Sequence, residues 1–116
     1  MDKPAIEAFL HAQVHAWNAG DKEAFFAAYQ TAAPKGLLIE YVGRPASDGW
    51  PVLEGMWAQQ SAKIEIEEVV TVVCGNEAAC HNRNLVRGTT MSIETIELYR
   101  FDDGHLTVRY FIRQPS

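Results

Sequence analysis

Apolar and polar positions along this chain change their period, from a helical repeat in the first half to a strand-like repeat in the second. Over residues 5–18 the apolar side chains recur at helical spacing and form one stripe. Gly20 then supplies a left-handed stop, and Asp21 is placed to cap the next helix. The predicted helices are residues 5–18, residues 22–30 and a third that begins near Pro51 and ends around Gln60.

The second half of the chain is rich in Val, Ile and Thr, which favour strands. The adjacent Glu67 and Glu68 break the alternation and predict a bulge, and Asp102-Asp103-Gly104 is a hairpin signal. The predicted strands are Leu37–Val42, Ile64–Cys74, Cys80–Arg87, Thr89–Phe101 and His105–Arg113. Helices followed by a four-strand meander predict a single α+β domain over residues 1–116, with helices covering one face of the sheet.

Composition narrows the classes of partner. The chain has 116 residues, is 47% hydrophobic and carries a formal net charge of -5, which repels phosphate backbones and anionic membranes. We therefore expect neither nucleic acid nor a membrane as a partner. No apolar run approaches membrane-spanning length and no secretory signal follows the charged start, so a cytoplasmic protein is expected. No nicotinamide, flavin or nucleotide motif is visible, so no cofactor is expected.

Two cysteines, Cys74 and Cys80, flank a predicted hairpin turn. A two-residue loop at Asn76-Glu77 places the sulfurs on opposite faces of the ribbon and excludes a disulfide, whereas a three-residue loop places them directly opposite each other. Reduced thiols fit the expected compartment. No second pair of ligands lies at zinc-binding spacing, so no metal site is predicted.

Glu97 is the candidate for chemistry, because strand alternation groups it with aromatic side chains. One face of its strand carries Thr95, Glu97, Tyr99 and Phe101, which suggests that this face points inward. A poorly solvated carboxyl has a raised pKa, which suits a general acid. The alternative is an inward acid held by a tyrosine or an asparagine, with no chemistry.

Asn82 and Asn84 occupy the corresponding face of the neighbouring strand. Inward amides must be hydrogen-bonded, and a polar ligand or Glu97 would supply the partner. With the opposite parity, both amides would be solvated instead. The inward reading is favoured because the other face carries side chains that are harder to bury and predict a polar outer face, namely His81, Arg83 and Arg87.

The order and spacing of several motifs resemble the nuclear transport factor 2-like superfamily, especially its SnoaL-like polyketide cyclases and ketosteroid isomerases. The motifs are Trp17-Asn18-Ala19-Gly20-Asp21, Glu40, Gly49 through Trp57, Asn76-Glu77-Ala78-Ala79 and Ile96 through Phe101. The resemblance implies a cystatin-like fold, in which three N-terminal helices pack on a strongly curved mixed or antiparallel sheet that forms a cone with an internal pocket. It also implies a homodimer through the outer sheet face.

The same resemblance carries residue roles. The oxyanion acid of a ketosteroid isomerase falls on Glu97, its tyrosine on Gln13, and its base on Tyr41 with Glu40 adjacent. Which of Glu40 and Tyr41 faces the pocket stays open. The catalytic candidates are thus Glu97 and Tyr41. The substrate-binding candidates are Gln13, Trp17, Tyr29, Met56, Trp57, Asn82, Asn84 and Tyr99.

The function implied is that of a small pocket protein for a hydrophobic molecule. As an enzyme it would be a cofactor-free isomerase, cyclase or dehydratase that moves a proton on a hydrophobic carbonyl compound, with Glu97 as acid or base. A non-catalytic protein that binds a hydrophobic ligand is one alternative. The other is an assembly module whose dimerising sheet face matters more than its cavity.

Overall fold

The computed structural model describes residues 1–112 as three helices packed on a six-stranded mixed sheet. The helices are α1 (Lys3–Ala19), α2 (Lys22–Ala32) and α3 (Gly49–Gln60). The strands are β1 (Gly36–Tyr41), β2 (Ser47–Asp48), β3 (Ile64–Cys74), β4 (Glu77–Val86), β5 (Ser92–Asp102) and β6 (His105–Ile112). The predicted α+β class is confirmed. Within this part of the chain, no helix has the length and apolarity needed to cross a membrane.

The first helix ends and the second begins at the predicted signals, Gly20 and Asp21, whereas the Asp2 cap that starts α1 at Lys3 was not predicted. Asp2 caps α1 and Asp21 caps α2, each accepting a hydrogen bond at 3.0 Å from a backbone N–H three residues on. Gly20 adopts the left-handed conformation, with φ 71°, that ends α1. Helix α3 begins at Gly49, which lies so close to Leu37 that a Cβ atom would overlap its side chain. Glycine therefore lets α3 approach β1 closely.

The strand order is β2-β1-β6-β5-β4-β3. Strands β3 to β6 form the predicted antiparallel meander. Strand β1 joins it in parallel beside β6, with Tyr41 opposite Tyr110, and this makes the sheet mixed. The pattern did not predict β2, because two residues are too short to show alternation.

The hairpin between β3 and β4 differs from both loops considered for it. Its loop is Gly75 and Asn76, because Cys74 lies opposite Glu77. Cys74 is exposed and Cys80 is buried, and both are free thiols. The predicted bulge is confirmed, since the register of β3 shifts between Glu68 and Val70.

The turn between β4 and β5 is longer than predicted. The Thr89 hydroxyl donates to the Val86 carbonyl at 2.9 Å and accepts from the Met91 N–H at 3.0 Å. These bonds hold Thr89 in the turn, so β5 begins at Ser92. The predicted end of the last strand, Arg113, lies outside the described residues.

The end of α1 is fixed to β3 by two side chains. The Asn18 amide donates to the Ile66 carbonyl at 2.9 Å and accepts from the Ile66 N–H at 2.8 Å. The Trp17 indole N–H donates to the Ile64 carbonyl at 3.0 Å. These bonds hold the end of α1 against β3, so that the helices cover one face of the sheet, which we call the inner face.

The opposite, outer face is less polar than predicted. Apolar side chains from three strands, β3, β5 and β6, form an outer patch there, consisting of Val70, Val72, Ile96, Leu98 and Phe111. Val72 is 56% and Ile96 51% exposed. The predicted charges are paired, His81 with Glu94 at 3.2 Å and Arg83 with Glu67 at 3.1 Å. The prediction failed because it followed one strand and missed the apolar positions of its neighbours.

Candidate functional site

The inner face of the sheet is filled at one end and hollow at the other. At the filled end, the Phe9 ring meets those of Tyr29, Tyr99 and Phe101 edge-on, with centroids 5.0, 6.0 and 5.7 Å apart. At the other end, the helices and strands enclose a cavity of about 340 Å³. A cavity of this size falls within the range of small-molecule sites.

All three helices and five of the strands contribute to this cavity. Its lining is Gln13, Trp17, Phe25, Tyr29, Tyr41, Met56, Gln60, Ile64, Ile66, Asn84, Ile93, Thr95, Glu97, Tyr110 and Ile112. The predicted site residues found in this lining are Gln13, Trp17, Tyr29, Tyr41, Met56, Asn84 and Glu97. The remaining three candidates, Trp57, Asn82 and Tyr99, lie behind the lining.

Trp57 packs against the wall from outside. Its ring lies edge-on to that of Trp17, with centroids 5.4 Å apart, and 5.2 Å from that of Phe25. Helical spacing explains the difference, because neighbouring residues of α3 point in different directions and Met56 takes the cavity side.

The carboxyl of Glu97 is buried and accepts three hydrogen bonds. The Tyr99 hydroxyl donates to Oε1 at 2.6 Å. The Thr95 hydroxyl and the Asn82 amide donate to Oε2 at 2.9 and 3.2 Å. Asn82 and Tyr99 thus hold Glu97 instead of contacting the cavity. Oε1 accepts one bond and Oε2 two, so Oε1 is the oxygen with room for a proton or a ligand.

Burial raises the pKa of Glu97, and the hydrogen bonds from Tyr99, Thr95 and Asn82 offset part of that rise. The Asn82 Oδ1 atom is buried and has no hydrogen-bond partner in the described part of the chain. Burial of Glu97 favours a neutral carboxyl.

One row of inward side chains crosses four strands and contains most of the titratable groups. It runs Cys80, Glu97, Tyr110 and Tyr41 from β4 to β1. Burial and the nearby Glu97 raise the pKa values of Tyr41 and of the Cys80 thiol, the latter to about 12. The phenol therefore stays a neutral hydrogen-bond donor, and the thiol is unreactive.

The structure also resolves which residue at the end of β1 faces inward. Tyr41 lines the cavity, and its ring stacks on that of Tyr110 with centroids 5.5 Å apart. Glu40 points to the other face, where it pairs with Arg109 at 3.3 Å.

Two further polar contacts extend from the cavity wall. The Asn84 amide donates to the Thr95 hydroxyl at 3.1 Å, so a chain of hydrogen bonds runs from Asn84 through Thr95 to Glu97. The Tyr29 hydroxyl donates to the Gln13 side-chain oxygen at 3.5 Å, and burial raises the Tyr29 pKa. The N–H donors of both inward asparagines are thus bonded within the protein, and Glu97 is the partner of Asn82.

Several lining residues were not among the predicted site residues, and two of them are direct neighbours of Glu97. Thr95 donates to Glu97, and Tyr110 lies directly opposite it on β6. Strand alternation carried the signal for both, because Thr95 shares the Glu97 face and Tyr110 lies on the face opposite to Arg109. Over residues 1–112, no three potential metal-ligating side chains come together.

No protein-family model and no curated protein sequence matches the chain. Solved structures do. A nuclear transport factor 2-like protein of unknown function from Burkholderia xenovorans superposes with a TM-score of 0.76 at 17% identity, over 98% of this chain and 87% of that one. The chain has the nuclear transport factor 2-like fold.

Other proteins with this nuclear transport factor 2-like fold are similar to the chain. A protein described as a candidate ketosteroid isomerase from Kribbella flavida gives a TM-score of 0.76 at 12% identity, over 97% of this chain and 81% of that one. A SnoaL-like protein of unknown function from Burkholderia thailandensis gives 0.71 at 16% identity, over 97% and 98%. The resemblance inferred from the motifs is confirmed for the fold. At identities this low, the activity of these proteins cannot be assigned to this chain.

Proposed function

We propose that this protein binds a small hydrophobic carbonyl compound in the cavity and moves a proton on it without a cofactor. The observation that carries the proposal is Glu97, a buried carboxyl that lines the cavity and whose pKa is raised by burial. The proposal includes a sheet that curves into a cone around the cavity. Lining residues drawn from strands β1 and β3, near opposite edges of the sheet, support that curvature.

The chemistry needs one carboxyl. The neutral Glu97 gives its proton to the carbonyl oxygen, and the resulting carboxylate is stabilised by Tyr99, Thr95 and Asn82. A proton from the carbon next to the carbonyl then returns to Glu97, so that the protein is unchanged after a cycle. Tyr41, which lies in the same row, would donate a hydrogen bond to the ligand oxygen. Isomerisation, cyclisation and dehydration all use such a step.

Deuterium exchange tests the proposal without knowledge of the product. Aryl alkyl ketones are incubated with the protein in deuterated water, and NMR follows exchange at the carbon next to the carbonyl. We expect Glu97→Gln to slow the catalysed exchange about 100-fold or more, since acid–base catalysis contributes that much. Glu77→Gln, at an exposed position of β4, is the matched control and should leave the rate unchanged.

A non-catalytic binding protein is the second candidate. Two observations favour it. Among residues 1–112, Glu97 is the single carboxylate that lines the cavity, and both oxygens of Glu97 already accept hydrogen bonds from the protein. Under this proposal the ketones bind, but their deuterium exchange is no faster than without protein. Mass spectrometry of ligands retained on the purified protein would also reveal what the cavity binds.

We further propose a homodimer that buries the outer patch. The patch supplies apolar area, His81 lies within it between Val70 and Ile96, and the Arg83–Glu67 pair beside it would form part of a polar rim. An assembly role would depend on this face. Ile96→Arg places a charge at the patch and should shift the sedimentation coefficient toward that of a monomer, while Thr107→Arg, toward the edge of the same face, should shift it less. A wild-type protein that sediments as a monomer at all concentrations would contradict the dimer.

A further inference from the structure

A second concave site adjoins the cavity at the end of β1. This outer cleft has a volume of about 300 Å³ and is lined by Tyr41, Val42, Arg44, Tyr110 and Ile112. Three of these residues, Tyr41, Tyr110 and Ile112, also line the inner cavity. The stacked rings of Tyr41 and Tyr110 are therefore a shared wall between the two spaces.

Arg44 is the charged residue of the outer cleft, and it differs from the other arginines of residues 1–112. Arg83, Arg100 and Arg109 each pair with a carboxylate, and Arg87 donates to a backbone carbonyl. Arg44 has no such side-chain partner among the described residues. Its backbone N–H bonds to the Tyr41 carbonyl at 2.9 Å, which fixes the turn that presents it. In a chain of net charge -5, the cleft thus holds, beside two aromatic rings, a cation that has no side-chain partner among residues 1–112.

The register of the strands sets the spacing between Arg44 and Glu97. Glu97 lies opposite Tyr110, and Tyr110 lies opposite Tyr41 on the next strand. Two strand spacings separate Glu97 from Tyr41, on the order of 10 Å between backbones. Arg44 follows three residues later. A ligand that reaches both groups is therefore longer than a single ring.

We infer that Arg44 binds a carboxylate at one end of the ligand whose carbonyl group reaches Glu97. The ligand class is an elongated keto acid with an apolar body, which lies along the Tyr41–Tyr110 wall. A guanidinium is suited to this role, because its fork of N–H donors matches a carboxylate. The inference rests on the proposed function of the cavity, and it narrows the ligand to an anion.

Benzoylbutyrate and its methyl ester form a matched pair of probes, since they share the ketone and the chain and differ in charge. Binding is followed by tryptophan emission, because Trp17 lines the cavity. We expect the acid to bind about fivefold to tenfold more tightly than the ester. Arg44→Gln should abolish this preference and leave the affinity for the ester unchanged, and Arg44→Lys should keep part of it. Arg100→Gln, on the outer face, is the control that should preserve it.

The outcomes separate the two proposals. Binding of both probes with no preference, or with a preference that Arg44→Gln leaves intact, overturns the carboxylate site and leaves the cavity function standing. A preference that weakens as salt is raised supports it, because an exposed ion pair is screened. Failure of both probes to bind overturns both the carboxylate site and the ligand class assigned to the cavity.

Discussion

The two ends of the inner sheet face are built from the same strands, yet one is packed and the other is hollow. At the packed end, Leu106 and Val108, which lie opposite Phe101 and Tyr99 on β5, are almost fully buried. At the hollow end, Ile93 and Ile112 border the cavity and keep part of their surface exposed. Glu97 lies where the two ends meet, between Thr95 on the hollow side and Tyr99 on the packed side.

The contrast between the packed and the hollow end explains how the fold can keep a titratable group buried. The packed end supplies stability and a rigid donor, Tyr99, and at the hollow end Glu97 lines the cavity. A carboxyl placed wholly in the packed end would have no access, and one in the open cavity would be solvated. At the boundary, Glu97 is buried enough for its pKa to be raised and still lines the cavity, which is consistent with the proposed proton transfer.

Truncation of a side chain at each end should give the largest contrast. Leu106→Ala leaves a void in a filled region and should lower the free energy of unfolding by about 2–5 kcal/mol. Ile93→Ala enlarges an existing space, so the cost should be about 1 kcal/mol. Chemical denaturation monitored by circular dichroism measures both. Equal costs would mean that the hollow end is as tightly packed as the other.

Substitution of Glu97 tests the boundary itself. Glu97→Ala leaves the donors of Tyr99, Thr95 and Asn82 unpaired and should cost about 1–3 kcal/mol. Glu97→Gln keeps the shape and removes the buried charge. At neutral pH it should be neutral or stabilising, while the proposed activity is lost.

The pH dependence of stability in the same variant shows in which direction the pKa of Glu97 is shifted. Because the folded pKa of Glu97 is raised, both folded and unfolded states are protonated below the ordinary glutamate value of about 4.3, and no penalty arises there. As pH rises from that value through the folded pKa, wild-type stability should fall relative to Glu97→Gln. Urea unfolding of both proteins over this range gives the difference, and a difference that does not change with pH would show that Glu97 titrates like a solvated carboxyl.

Removal of the Thr95 donor should have the smallest effect. Thr95→Val deletes one hydrogen bond to Glu97 while the shape is kept, so the cost should be about 0.5–1.5 kcal/mol and the Glu97 pKa should rise further. Thr107→Val, on the outer face of β6, is the matched control. Carbon-detected NMR of the Glu97 carboxyl measures the shift, and a pKa that falls would contradict the assigned donor.

Local signals in the sequence predicted the parts of the fold that depend on neighbours in the chain. Asp21, Gly20 and the alternation around Glu97 predicted the helix ends and the inward face because each acts over a few residues. The parallel pairing of β1 with β6 depends on distant segments and leaves no local period. The resemblance allowed a mixed or an antiparallel sheet, and the residues alone predicted an antiparallel one.

In the candidate site too, features that depend on neighbours in the chain were predicted, and features that depend on distant segments were not. Alternation correctly placed Glu97, Asn82 and Asn84 on inward faces. It could not distinguish a side chain that lines the cavity from one that lies behind it, as with Trp57, since that depends on packing between elements. Arg44 gave no signal at all, because the significance of its charge appears only when the partners of the other arginines of residues 1–112 are known.

The parallel pairing of β1 with β6 has a consequence for how the chain folds. The Glu40–Arg109 pair joins residues 69 positions apart, whereas the hairpins between β3 and β6 close short loops. Closing a long loop is entropically costly, so we expect β1 to dock after the meander has formed. Tyr41 would then complete the cavity wall in a late step of folding. A ligand bound in the cavity should accordingly slow unfolding more than it speeds refolding.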